Sequence, residues 1–204
     1  MGKERDFEAI LAKDEILQKV SFPLADSRIV TLSQGLSMIP LTGELQELLS
    51  ELDNAAAEDE EDENEEESWE TYLPRFLYEH LLDLSIQGPV AFIFSEVWAC
   101  DLFEVAIVWH EREIVFELSG EEKTVAQALR LFGVEKGDFY SEAHAVGLWE
   151  RDFAEEWVMS DDEWQRHLEE EQRKYEDEEK KRLEQQEYEE LHKSKNKKWW
   201  QFWI

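Results

Sequence analysis

From residue 88 to 118 the chain reads GPVAFIFSEVWACDLFEVAIVWHEREIVFEL, an almost continuous apolar tract in a sequence otherwise rich in acid. Residues 90–98 and 102–109 are dense in β-branched and aromatic side chains with little alternation, the pattern of strands covered on both faces. Residues 112–118 alternate instead, with Ile114, Phe116 and Leu118 on one face and Glu113, Val115 and Glu117 on the other, as in a strand with one wet face. The links Ala99-Cys100-Asp101 and His110-Glu111 are too short for a crossover helix, so the three strands are expected to form an antiparallel meander. A sheet this small needs cover, and the segments around it carry helical spacing.

Residues 6–20 offer Phe7, Ile10, Leu11, Leu17 and Val20 for packing and are read as a helix, broken by Phe22-Pro23 because proline disfavours helix in the residue before it. Residues 28–32 and 36–41, separated by Ser33-Gln34-Gly35, have the form of a short hairpin that extends the sheet. Leu45, Leu48, Leu49 and Leu52 follow the i, i+3, i+4, i+7 spacing of a one-sided helix, with Thr42 placed to cap it. Leu73, Phe76, Leu77, Leu81 and Leu84 mark a second such helix from Thr71, with Pro74 in its first turn, and Gln87-Gly88-Pro89 stops it. After the tract, Val125, Ala128, Leu129 and Phe132 predict a helix over 124–132 ended by Gly133, and a shorter one is expected within 141–146. The fold class is therefore α+β, a small antiparallel sheet with a central meander at about 89–118 covered by helices, forming a globular domain over 1–159.

Composition changes this picture in two places. The 51 acidic residues against 21 basic ones give a formal charge of −30, which favours solubility and basic partners. It also argues against direct nucleic-acid binding, which depends on Lys and Arg neutralising phosphates. Residues 53–68, DNAAAEDEEDENEEES, hold ten acids in sixteen and nothing large and apolar, so a disordered acidic insert is expected there. A calcium loop is rejected because the run has no glycine for the sharp turn. A nucleic-acid decoy would need carboxylates held on a rigid surface.

The second place is the C-terminus. Ser160-Asp161-Asp162-Glu163 is a capping box, and the charged stretch it opens runs to about 192 with no glycine or proline. Acid-to-base pairs four apart, such as Glu169 to Arg173, Glu170 to Lys174 and Glu178 to Arg182, are each worth about 0.2 to 0.5 kcal/mol, enough together to sustain an exposed helix over 160–192. Its apolar residues drift around the surface, which speaks against a coiled coil. Residues 193–204, KSKNKKWWQFWI, then place four lysines before a cluster of large aromatics. Lys197, Lys198, Trp199, Trp200, Phe202, Trp203 and Ile204 are the candidate partner-binding residues, because tryptophan and phenylalanine are strong interface anchors. The same mixture suits an anionic membrane surface, or a return of the tail onto its own domain.

Candidate chemistry adds little. His80, His110 and His144 are the histidines a hydrolase or transferase site would use, but each lacks a nucleophile and orienting partner in sequence. His110-Glu111-Arg112 lacks the later histidine of a helical zinc motif, and no phosphate-binding glycine loop or nucleophile elbow occurs. No cofactor, no metal and no catalytic residue is expected. Cys100 is the only cysteine, the start MGKERDFEAI has no apolar run of a signal peptide, and no stretch is apolar enough to span a bilayer, so a cytoplasmic setting is expected, with peripheral membrane contact through the tail. The function expected is a non-catalytic acidic adaptor or inhibitor docking a protein partner through its terminal peptide. The rival readings are an immunity-type or nucleic-acid-mimic protein covering a basic surface, a peripheral membrane protein and, last, an enzyme.

Overall fold

The computed structural model describes residues 5–21, 24, 27–56, 73–98, 101–120 and 123–200. Strand β1 (Arg5–Lys13) leads into a single helical turn, α1 (Asp14–Leu17), followed by β2 (Val30–Thr31), a 3-10 turn at Ser33–Gly35 and β3 (Leu36–Pro40). Helices α2 (Gly43–Ala56) and α3 (Arg75–Ser85) precede the meander of β4 (Val90–Trp98), β5 (Asp101–His110) and β6 (Glu113–Gly120). Helices α4 (Thr124–Leu131), α5 (Glu142–Val146) and α6 (Ala154–Trp157) complete the first compact unit, Met1–Val158. The second, Met159–Ile204, holds helix α7 (Asp161–Trp200).

Among the described residues the strands make one antiparallel sheet in the order β2-β3-β1-β4-β5-β6, so the α+β class and the antiparallel meander are observed. The helix predicted over 6–20 is not formed. Its first half is β1, paired on one side to β3 (Ile10 with Ile39) and on the other to β4 (Ile10 with Phe92). Phe7, Ala9 and Leu11 enter the core on one face while Ile10 and Ala12 enter that on the other, so the strand shows an apolar cluster where a half-exposed strand would alternate.

Each face of the sheet has its own core. On one, α2 and α3 contribute Leu45, Leu49, Leu77, Leu81 and Leu84 over Ile10, Phe92, Ile107 and Trp109. On the other, α4, α5 and α6 contribute Val125, Leu129, Val146 and Trp157 over Phe7, Leu11, Ile93 and Val108. Helix ends form largely as their sequences predict. Thr42 Oγ1 accepts from the Leu45 amide at 3.4 Å; the short helix expected within 141–146 forms as α5, and Ser141, not named as a cap from the sequence, accepts from His144 N. After α4, Gly133 takes φ 78°, its amide donates to Arg130 O and that of Val134 to Leu129 O, the paired bonds of a Schellman terminator.

The acidic run begins differently from expectation. Residues 53–56 belong to α2, and Asp53 receives the Arg75 and Phe76 amides at 2.6 and 2.7 Å, so it caps the N-terminus of α3. The rest of the run lies outside the described residues, as does Cys100.

The β5–β6 link is also displaced by one residue: Glu111 and Arg112 form the turn, both with positive φ (54° and 65°). That geometry suits a two-residue hairpin and is usually given to Asn-Gly, so here it costs backbone strain. The C-terminus of α3 holds it in place. Ser85 O accepts from the Glu111 amide at 2.9 Å, Ser85 Oγ accepts from the Arg112 amide at 2.8 Å, and Arg112 reaches Asp83 at 2.5 Å. Ser85→Ala would leave the Arg112 amide without its acceptor in a strained turn. We expect a loss of about 1 to 3 kcal/mol in denaturant melts, larger than for an exposed serine elsewhere.

Candidate functional site

Two helices do not cover the whole face on which α2 and α3 lie. Toward the far end of β4 and β5 no described helix lies over the sheet, and its side chains form a concavity of about 540 Å³. The floor follows from strand register. Phe94 stands opposite Val105, Phe92 opposite Ile107 and Glu96 opposite Phe103, while on the outer side Val105 faces Ser119 and Ile107 faces Glu117. Phe94 and Phe103 meet edge to face at 6.2 Å, and Phe103 is 44% exposed, an uncovered aromatic in a neighbourhood of apolar groups. The groove therefore presents aromatic and aliphatic surface between carboxylates: Glu8 and Glu96 on the β1 and β4 side, Glu117 on β6. No lysine or arginine lines it among the described residues.

Glu8 is the half-buried member. It shares with Phe92 the wall of a smaller adjoining cavity of about 180 Å³ bounded by Gln46 and Leu49 of α2 and Leu77 of α3. Burial, and next the Asp6 charge, hold its carboxyl above the ordinary value, while the amide of Gln46, donating to Glu8 Oε2 at 2.8 Å, works in the other direction.

Residues 193–204 contain the candidate contact residues predicted from sequence. The backbone of α7 remains helical through Lys197, Lys198, Trp199 and Trp200, where a break after about 192 was expected. Phe202, Trp203 and Ile204 lie outside the described residues. At the other end the capping box forms: the Ser160 amide and hydroxyl both donate to Glu163 Oε2, at 2.8 and 2.6 Å, and the Glu163 amide donates to Ser160 Oγ at 3.4 Å. Pairing along the helix departs from the i, i+4 expectation. Lys174 pairs with Glu171 at 2.8 Å, with Glu170 only adding to the field that raises its pKa, and Arg182 lies 3.9 Å from Glu179. Every residue from Leu168 to Gln186 is exposed.

The histidines do not assemble. His80, on α3, stacks on Phe76 at 4.6 Å and lies 3.4 Å from Ser21 Oγ; His144, on α5, lies 2.7 Å from Ser141 Oγ, the cap of its own helix. These helices sit on opposite faces of the sheet, and His110 is exposed at the end of β5. No cluster of three metal-ligating side chains occurs among the described residues, and none of their helices is long and apolar enough to cross a membrane. Comparison with protein-family models, with curated proteins and with solved structures found no match.

The groove was not foreseen from the sequence. Its signal lay in Glu96 and Glu117, carboxylates in mid-strand within an apolar tract, but without a topology they read as wet-face positions. Because Glu8 binds its proton more tightly folded than unfolded, its charged form carries a folding penalty that is absent below the unfolded pKa and complete once pH exceeds the folded one. Glu8→Gln, which keeps an acceptor for Gln46, should raise the melting temperature at about pH 7, and the gain should close as pH falls through the ordinary carboxylate range. An equal gain at every pH would place the effect elsewhere.

Proposed function

We propose that the protein is a non-catalytic acidic binding protein, an adaptor or inhibitor in kind, that docks a protein partner through its Lys- and Trp-rich terminal peptide. Lys197, Lys198, Trp199, Trp200, Phe202, Trp203 and Ile204 are its contact residues. The observation that carries this reading is the character of α7. It is a 40-residue helix, roughly 60 Å long at 1.5 Å per residue, closed at its start by its own capping box and exposed all round from Leu168 to Gln186. A helix that draws its stability from local charge and a cap does not need a cluster of tryptophans to hold it. Large aromatics at such a place are better used against another surface, where a few of them supply most of the affinity.

The lysines before them allow an anionic membrane as the rival target, and salt distinguishes the two. Contact with anionic lipid depends on charge and weakens as lysines are screened, whereas rings seated in a protein groove tolerate salt. With alanine at Trp199, Trp200, Phe202 and Trp203 together, the melting temperature should stay within about 2 °C of the parent, the change expected of less than about 1 kcal/mol in a chain of this size. Pull-down of a partner should be lost in the same variant and, for the parent, survive about 0.5 M salt, beyond the range where surface charges act at distance. A large drop in melting temperature with unchanged capture would overturn the proposal, and salt-sensitive co-sedimentation with phosphatidylserine vesicles would transfer it to the membrane.

A further inference from the structure

The acid-lined groove ends at β6, the last strand of the sheet among the described residues. In the order β2-β3-β1-β4-β5-β6 no described strand lies beyond β6, and past the bulge that pairs Ile114 with Trp109 but Phe116 with Val108, the regular stretch Phe116–Gly120 has no partner strand on its outer side among the described residues. Such an edge is a template for another strand unless something blunts it. Here apolar side chains remain uncovered along it: Ile114, Val115 and Leu118 are 39%, 52% and 37% exposed, although the sequence pattern promised a strand with its apolar face inside. Phe116 packs against the core beneath α4, and the bulge turns Ile114, opposite Trp109, to the other face of the sheet.

We propose that β6 and the adjoining groove form a second docking surface, which takes an extended segment of a partner protein by strand addition, the segment being apolar on one face and basic with an aromatic on the other. The register specifies the two faces. Leu118 stands opposite Ala106 and Phe116 opposite Val108, on the α4 side, where an added strand presents aliphatic side chains. Glu117 stands opposite Ile107 and Ser119 opposite Val105, on the groove side. There the added strand places a lysine or arginine against Glu117, and next to it a ring leaning over the small Ser119 onto Val105 and Phe103. Charge selects the occupant. A second copy of β6 would bring Glu113 and Glu117 against their like between two chains of net charge −30, which disfavours self-pairing, while the same carboxylates attract a basic strand.

The proposal does not rest on the terminal peptide, so its test uses the full chain and the four-alanine variant side by side. The probe is the peptide acetyl-Lys-Val-Lys-Val-Phe-Val-Lys-amide, and its control has the same composition with all three lysines at one end. Expected are equal affinities in the two proteins, at least tenfold weaker binding of the control, and slowed amide exchange along β6 on adding the probe. Phe103→Ser and Glu117→Lys, both at exposed positions, should each weaken the probe about tenfold while leaving the melting temperature near the parent value. Equal binding of probe and control would reduce the effect to charge and overturn the proposal, as would exchange protection confined to other elements. If protection of β6 rises with protein concentration in the absence of peptide, the edge belongs to a second copy; if replacing 57–72 by a Gly/Ser linker is what exposes β6 amides, it belongs to the chain itself. Either result overturns the assignment to a partner.

Discussion

Everything in the first unit depends on β1 lying between β3 and β4. That one strand joins the N-terminal hairpin to the meander, and without it the six-stranded sheet would fall into two pieces too small to support a core on either face. Its pairings are long-range, since Ala9 meets Pro40 on one side and Ile93 on the other. The loop-closure entropy of bringing residue 9 to residue 93 is spent before the two faces can be packed, so the meander, joined by short links, is the part of the sheet able to form first.

The excess of carboxylates finds a structural use in the same unit. Several acids are taken inside, or nearly so, and accept backbone N–H groups that would otherwise be orphaned at helix starts and turns. Glu104 of β5 accepts from Val125 at 3.2 Å at the start of α4, Glu156 takes the Asp152 and Phe153 amides, and Asp53 joins the end of α2 to the start of α3. A charged acceptor on a backbone donor makes a stronger bond than a neutral one, and this helps to offset the burial of the charge. Glu142 is the case held by a cation: Arg130 Nε donates to it at 2.6 Å and keeps its carboxyl below the ordinary value.

Charge and shape meet differently at the two proposed binding surfaces. The terminal peptide is a small basic and aromatic device on an acidic chain. The groove and the β6 edge are an acidic and aromatic device on the sheet. Both combine apolar area, the usual source of affinity, with charge, the usual source of partner choice and encounter rate. Neither needs a histidine, and the histidines of α3 and α5 are occupied with nearby serines and rings.

The sequence by itself determined the elements whose cues are local. The meander follows from two short links and a β-branched tract; α2, α3 and α4 follow from one-sided leucine spacing; the cap at Ser160 and the stop at Gly133 follow from bonds made within a few residues. What it misassigned is β1, because ILAK at its end is as compatible with a helix as with a strand, and a strand buried on both faces loses the alternation that would have announced it. Only the tertiary structure decided that β6 is the last described strand of the sheet and that Glu8, Glu96, Phe103 and Glu117 share one groove. Glu8 is about ninety residues or more from the other three, which lie on one meander, and what joins all four is strand order and register, set in part by the long-range pairing of β1 with β4, which leaves no periodic trace in the sequence.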